Sequence, residues 1–247
     1  AATYLTARGF CLTSAVWMMA ATLIGFVAAI ELVAPDLTGN IAWLLFSRLR
    51  PIHVNLVLFG FVTPGLLASA FYLVPRLLRT PLYSERLGVV TVVFWNIALV
   101  ALVITLGAGF TQGREYAEMI WPIDVGIVAA FCLIFINLIM TVKNRQEKIL
   151  YVSVWYVLAA VVLTATTYSL GNVIWKPDSG ALTGIPDAIL LWFYGHNVFG
   201  LLLTPLSAAV AYYIIPQVCR TPLYSHTLSL LGFWALIVIY THIGTHH

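Results

Sequence analysis

Seven long apolar segments constrain the fold of this 247-residue chain more than any other feature. A helix needs about 20 apolar residues to cross the ~30 Å hydrocarbon core of a bilayer. The chain is 62% hydrophobic and only 9% charged, which argues against a soluble domain. We therefore predict an all-α fold, a polytopic transmembrane helix bundle that forms a single domain over residues 1–247. The predicted spans are 10–34, 51–76, 88–110, 122–143, 148–171, 187–217 and 227–247.

The distribution of basic residues predicts the orientation of the bundle, because cytoplasmic segments carry an excess of Lys and Arg. With the N-terminus inside, the inner segments hold eight of the twelve basic residues, which favours a cytoplasmic N-terminus. We expect the bundle to be surrounded by membrane lipid. Its small net charge of +3 does not indicate a nucleic-acid partner. Cys11, Cys132 and Cys219 have no CxxC spacing, so we interpret them as small core residues.

An internal repeat with an offset of 141 residues links the second and sixth spans. FYLVPRLLRTPLYS at 71–84 matches YYIIPQVCRTPLYS at 212–225, and each segment is preceded by Thr-Pro, at 63–64 and 204–205. The prolines lie in mid-span and should kink both helices, because proline lacks the amide hydrogen that an α-helix uses. The repeat predicts two helices built on one plan. Polar sites in membrane bundles often lie between such repeated units.

Histidines inside the spans are the main indication of function, because an ionisable residue in hydrocarbon is costly unless it is paired or bound. His53 is predicted about three residues inside the second helix, and His196 lies ~13 Å along the sixth. If the seventh helix is continuous, His246 and His247 lie ~28–30 Å from its inner end. All four would then lie in the outer half of the membrane.

A metal site is the most economical interpretation of these side chains, since imidazole commonly binds copper, iron and zinc. His196, His246 and His247 would provide three ligands and leave one coordination position open. Tyr240 precedes His247 by seven residues and would share its helix face, which brings a phenol near the metal. His242 is interpreted as a packing or hydrogen-bonding residue. A lone membrane histidine is more often a packing residue, but the adjacent His pair, the nearby tyrosine and a third histidine at matching depth favour a metal site.

Two carboxylates, Glu115 and Glu118, lie three residues apart in the polar outer loop TQGREYAEMIWPID. On a helical turn both would point to one face. They would then either bind a hard cation such as calcium or simply be solvated, and the spacing leaves both alternatives open.

Four motifs resemble subunit I of the haem-copper oxidase superfamily, and within it the cbb3-type cytochrome c oxidases. They are RPIHVN (50–55), TQGREYAEMIWPIDV (111–125), WFYGHNVFG (192–200) and RTPLYSHTLSLLGFWALIVIYTHIGTHH (220–247). The resemblance implies His53 as an axial ligand of low-spin haem b, and His196, His246 and His247 as copper ligands. Tyr240 matches a tyrosine that is covalently linked to a ligating histidine, here His196. Glu115, with support from Glu118, matches a calcium site.

The activity implied is reduction of dioxygen to water with electrons from cytochrome c, coupled to proton translocation in the bacterial inner membrane. Partners would include c-type cytochrome subunits. The family's subunit is about twice as long and supplies the high-spin haem b3 ligand and the second haem b ligand beyond the position matching His247. We therefore expect a chain or segment outside this sequence to supply them, and no oxidase activity from these residues alone. Thr245 departs from the family's usual proline.

Two other functions stay open at this point. A nitric oxide reductase shares the fold and holds non-haem iron, but it uses an added glutamate where this chain has Gly200, and it lacks the active-site tyrosine. Gly200 and Tyr240 favour the oxidase. A non-catalytic or transporter-like bundle would explain the repeat, but it would not explain histidines and a tyrosine at one depth.

Overall fold

The computed structural model describes residues 4–174 and 182–246, and within these ranges the chain is helical, without strands. Seven long helices follow one another along the chain. They are α1 (Leu5–Val33), α2 (Phe46–Leu77), α3 (Glu85–Gly107), α4 (Trp121–Lys143), α5 (Val152–Asn172), α6 (Ile185–Cys219) and α7 (His226–Tyr240). Two 3₁₀ turns, Pro35–Thr38 and Ala42–Leu44, lie between α1 and α2.

The helices α1 to α6 are long and apolar enough to cross a membrane, which confirms the predicted polytopic bundle. The seventh helix differs from the prediction of a span over 227–247. It has 15 residues and ends at Tyr240, after which residues 241–246 form turns. Gly244 adopts a φ of +119°, a conformation that cannot continue a right-handed helix.

Aromatic side chains fill the core between α1, α2, α3 and α4. The fully buried Trp95 packs against Phe10, Phe59 and Phe131 in tilted or edge-on ring contacts. Its indole N–H donates to the carbonyl of Phe59 at 2.8 Å, so the polar atom of this buried ring is satisfied. Further along the bundle, α6 packs on both α5 and α2.

The outside of the bundle is apolar, as expected for helices that face lipid. Leu12, Leu23 and many other large hydrophobic side chains are exposed there. Cys11, Cys132 and Cys219 are exposed as well. The prediction that the cysteines are core residues is therefore wrong: lipid is as apolar as a protein core, so hydrophobicity cannot distinguish a lipid-facing position from a buried one.

Both α2 and α6 contain a π-helical segment, at Leu56–Val62 and Val198–Leu203, which the sequence analysis did not anticipate. Each ends at a Thr-Pro pair, 63–64 or 204–205, where the threonine amide donates to the carbonyl five residues earlier. Since the proline that follows has no amide hydrogen, the carbonyl four residues before it has no α-helical donor. The Thr-Pro pair was thus the available signal for this winding.

The two copies of the repeat, residues 63–84 and 204–225, have the same local geometry. Arg79 and Arg220 end their helices in the left-handed conformation, with φ of 52° and 53°. Ser84 and Ser225 cap the helices that follow, accepting from Leu87 and Leu228 amides at 3.1 and 3.2 Å. The sequence repeat is therefore a repeat of backbone structure.

Candidate metal centre

Three predicted site residues come together where α7 ends beside α6. The ring centroid of His196 lies 5.1 Å from that of Tyr240 and 5.3 Å from that of His246. The two imidazole planes are inclined at 73°. Because a histidine nitrogen binds a transition metal such as zinc at about 2.0–2.1 Å, two imidazoles at this separation can ligate one ion.

The fourth predicted member of this group, His247, lies outside the described residues. In the ranges 4–174 and 182–246, no three His, Cys, Asp or Glu side chains are grouped closely enough to hold a metal ion. The described part of the candidate site is therefore a pair of imidazoles and a phenol.

An irregular turn brings His246 to His196. The side-chain amide of Asn197, which follows His196, donates to the carbonyl of Ile243 at 3.0 Å. Gly244 is buried against the His196 side chain, and a Cβ at this glycine would lie 3.0 Å from the His196 Cβ. His246 is thus positioned by this turn. The helix ends at Tyr240, so residues 241–246 do not continue the helix that the predicted shared face requires.

Tyr240 occupies space that Gly200 leaves open. Gly200 lies one helical turn after His196, and a Cβ built on it would overlap the Tyr240 ring. Any side chain at position 200 would displace the phenol. Gly200 and Tyr240 are therefore one feature of the structure, because the tyrosine can lie beside His196 only where position 200 has no side chain.

The ring of His53, on α2, is held by α1. Its Nδ1 lies 2.8 Å from the carbonyl oxygen of Ala21, and the ring packs so closely on Gly25 that a Cβ there would clash with it. A carbonyl only accepts, so Nδ1 carries the proton and Nε2 of the neutral ring is left as the nitrogen able to bind a metal. His53 lies seven residues after the helix start at Phe46, or ~10 Å along the helix, which is deeper than predicted.

The outer-loop glutamates have different surroundings, so the prediction of a shared helix face is wrong. Residues 110–120 are not helical, and Tyr116 between the two glutamates has a φ of 62°. Glu115 pairs with Arg50 at 2.6 Å. Glu118 is buried and accepts from the Asn55 side chain. Both carboxylates thus bind α2, Glu115 at a residue before His53 and Glu118 at a residue after it.

Glu118 is not the solvated carboxylate that one alternative envisaged. Its burial raises the pKa of the carboxyl above the usual range, the nearby charge of Glu115 adds to that effect, and the hydrogen bond from Asn55 opposes it. Within the described part of the chain, Glu118 Oε1 has no hydrogen-bond partner. Calcium at these residues stays a prediction that the described geometry does not support.

Arg114, which was not among the predicted site residues, is buried between the outer loop and the ends of α5 and α6. Its guanidinium is buried, donates to the carbonyl of Gly171 at the end of α5, and pairs with Asp187 in the first turn of α6 at 2.9 Å. Arg114 therefore connects the outer loop to the helix that carries His196. Its place in the same loop as Glu115 was the only sequence signal.

Comparison with known proteins identifies the family of this chain. Residues 6–247 match the family model described as cytochrome C and quinol oxidase polypeptide I. The chain is 34% identical to the cbb3-type cytochrome c oxidase subunit CcoN1 of Stutzerimonas stutzeri, over 99% of this chain and 52% of that protein.

Two other relatives are similarly matched. The chain is 35% identical to a cytochrome c oxidase subunit 1 homolog of Agrobacterium tumefaciens, over 94% of this chain and 44% of the relative. It is 33% identical to cytochrome c oxidase subunit 1 of Rhodobacter capsulatus, over 94% and 45%. The chain thus spans about half the length of the curated relatives it matches.

Proposed function

This chain belongs to the cytochrome c and quinol oxidase polypeptide I family, subunit I of the haem-copper oxidases, and from that premise we propose that it is the copper-binding and haem b-binding part of a cbb3-type cytochrome c oxidase. The reaction is the reduction of dioxygen to water with electrons from cytochrome c, coupled to proton translocation. The relatives' printed names are those of oxidase subunits.

The copper ligands in this proposal are His196, His246 and His247. Support comes from the donor chemistry, since imidazole nitrogen suits copper, and from the 5.3 Å separation of the His196 and His246 rings. When bound, copper and the facing iron of haem b3 supply the site where dioxygen is held and reduced. The protein's part is to fix the imidazoles, and the bond from Asn197 to the Ile243 carbonyl does so for the turn that carries His246.

Tyr240 is the proposed proton and electron donor to dioxygen. Its ring lies 5.1 Å from that of His196, and Gly200 provides the space that holds it there. This contact is the single observation that carries the oxidase proposal. The glutamate that a nitric oxide reductase uses at position 200 would need the volume that the Tyr240 ring fills, so the two arrangements exclude each other.

We also propose the covalent bond between Tyr240 and His196. A ring C–H of tyrosine and an N–H of histidine would be replaced by a C–N bond, with the released electrons and protons passing to dioxygen. The proximity of the two rings supports this bond. A peptide joining the two residues, found by mass spectrometry after proteolysis of the purified complex, would test it.

His53 is the proposed axial ligand of haem b. The bond between Nδ1 and the Ala21 carbonyl leaves Nε2 available, and such a second partner is the usual companion of a metal-bound histidine. The second haem b ligand and the haem b3 ligand are assigned to the part of the relatives' length that this sequence does not span.

The remaining proposals concern the partner subunits, the membrane and the orientation of the protein in it. They are assembly with c-type cytochrome subunits, location in a bacterial inner membrane, a cytoplasmic N-terminus and a metal site towards the outer side. The apolar helices support membrane integration, and the excess of Lys and Arg on one side supports the orientation.

Metal analysis and turnover of the whole complex, purified from its native membrane, would test the proposed function. We expect copper and haem, and consumption of dioxygen when reduced cytochrome c is supplied. Non-haem iron in place of copper, with turnover of nitric oxide, would overturn the oxidase in favour of a reductase. A complex without haem absorbance would indicate a non-catalytic protein.

A further inference from the structure

The two copies of the repeat have the same backbone where their helices end, but among residues 4–174 and 182–246 only the first copy has another helix packed on this turn. Val74 in the first copy is fully buried, whereas Ile215, its equivalent in the second, is 59% exposed. Tyr83 is 48% exposed and its equivalent Tyr224 is 95% exposed. An identical local structure therefore has two different environments.

Helix α4 covers the first copy through two polar side chains one turn apart. The Tyr83 amide donates to the hydroxyl of Thr141 at 3.0 Å. The Ser84 amide donates to Asn137 Oδ1 at 3.1 Å, and Asn137 Nδ2 donates back to the Ser84 carbonyl at 2.9 Å. Asn137 and Thr141 thus satisfy the backbone of the TPLYS turn.

The loop after α4 completes the cover. The amides of Gln146 and Glu147 donate to the carbonyl of Leu78 at 3.1 and 3.3 Å. The carboxylate of Glu147 also lies 3.5 Å from the guanidinium of Arg79. Helix α4 and the loop that follows it, which carries Glu147, therefore bind one copy of the repeat as a unit.

The second copy presents the same groups without such a cover among the described residues. The Thr221 amide donates to the Pro216 carbonyl at 3.2 Å, as the Thr80 amide does to the Pro75 carbonyl at 3.1 Å. The two turns therefore have the same shape. A groove of about 220 Å³ lies along it, lined by Ile215, Pro216 and Tyr224 among others. Among the described residues, no side chain accepts from the Tyr224 and Ser225 amides, which match the two amides that α4 binds in the first copy.

We propose that residues 211–225 are the docking surface for a further membrane helix, which carries Asn or Gln four residues before Ser or Thr and an acidic residue about six positions later. This spacing is that of Asn137, Thr141 and Glu147. The Tyr224 and Ser225 amides would take the places of Tyr83 and Ser84, and Arg220 that of Arg79.

The occupant comes from the part of the relatives' length that this sequence does not span. The relatives are about twice as long as this chain, so they have room for further helices. A helix with this polar pair would bind both amides at once, as α4 does in the first copy. The inference rests on the repeat and its covered copy, and it is independent of which metal the protein holds.

Photo-crosslinking in the whole protein, in its native membrane, tests the proposal. The photoreactive p-benzoylphenylalanine replaces Tyr224, whose exposed side chain makes the substitution tolerable for folding. Irradiation should join it to a peptide outside residues 1–247 that contains the Asn/Gln and Ser/Thr pair four residues apart, as identified by mass spectrometry.

Two control positions calibrate this experiment. The same probe at Tyr83 should capture α4 near Thr141, and at the exposed Phe26 of α1 it should capture lipid or solvent. Capture at Tyr224 of lipid only, of a second copy of this chain, of residues within 1–247, or of a helix without the polar pair would overturn the proposal.

Discussion

The helices α2 and α6 were built on one plan, and the comparison between them shows what a repeat conserves and what it leaves free. Both have a π-helical segment before a Thr-Pro pair, a left-handed arginine at the end and a capping serine beyond it. These features depend on residues that are close together in sequence. These local features therefore occur in both helices, because the same residues occur in both.

The candidate site residues of the two helices do not follow the repeat. The 141-residue offset pairs His53 with Tyr194, and His196 with Asn55. It pairs Phe59, whose ring fills the core of α2, with Gly200, which receives the Tyr240 ring from α7. What each helix can bind is thus set by the neighbour that packs on it.

Tyr240→Phe should give the largest effect, because it removes the hydroxyl group beside His196. It leaves a plain aromatic ring over Gly200, like that of Phe59 at the equivalent position of α2. The ring can stay on Gly200 while the hydroxyl is lost. We expect dioxygen turnover by the whole complex to fall by about 10²–10⁴-fold, the usual contribution of a proton donor, with copper and haem contents unchanged. Tyr151→Phe, the same chemical change at an exposed position away from the site, should leave turnover unchanged. Full activity of Tyr240→Phe would remove the phenol from the mechanism.

Arg114→Met compares how the two helices are tied to the outer loop. Arg114 binds α6 through Asp187, with side chains 5% and 21% exposed, and Arg50 binds Glu115 from α2, with side chains 47% and 28% exposed. Breaking a buried pair costs roughly 3–5 kcal/mol, whereas an exposed pair contributes about 0–1 kcal/mol. Thermal denaturation of the purified protein should therefore show a large loss for Arg114→Met and a small one for Arg50→Met. Equal losses would contradict this ranking.

Asn137→Ala exposes the first copy of the repeat in the way that the second copy is exposed here. The Ser84 amide and carbonyl would lose their side-chain partner, and an unsatisfied buried polar group costs about 1–3 kcal/mol. We expect the unfolding temperature to fall. Asn144→Ala, at an exposed position just beyond α4, should change stability by no more than about 0.5 kcal/mol. No difference between the two variants would mean that the cover adds no stability.

Glu118→Gln should give the smallest effect, and one that depends on pH. Because burial raises the pKa of Glu118 in the folded protein, its stabilising contribution is complete below the ordinary glutamate pKa of about 4.3 and is lost as pH rises through the folded-state pKa. The Gln variant cannot ionise. Its stability relative to the native protein should therefore increase from acid towards neutral pH in denaturation curves. A difference that is constant with pH would be inconsistent with a raised pKa.

The outer loop and the end of α7 show where prediction from sequence failed. The three-residue spacing of Glu115 and Glu118 suggested one helix face, but the positive φ of Tyr116 separates them. The apolar residues after Thr227 suggested a helix to residue 247, but the helix ends at Tyr240 and an irregular turn with Gly244 follows it. In both segments the chain follows partners elsewhere, Arg50 and Asn55 on α2 for the glutamates and Asn197 on α6 for the turn.

The sequence by itself determined the bundle, the approximate helix bounds, the repeat and the candidate site residues. It could do so because hydrophobic length, proline and serine caps act over a few neighbouring residues. Only the tertiary structure decided that Tyr240 lies on Gly200, that Arg114 is buried against Asp187, and that one copy of the repeat is covered while the other is not. These contacts join residues 40 or more positions apart, and side-chain volume and burial at the meeting point select them.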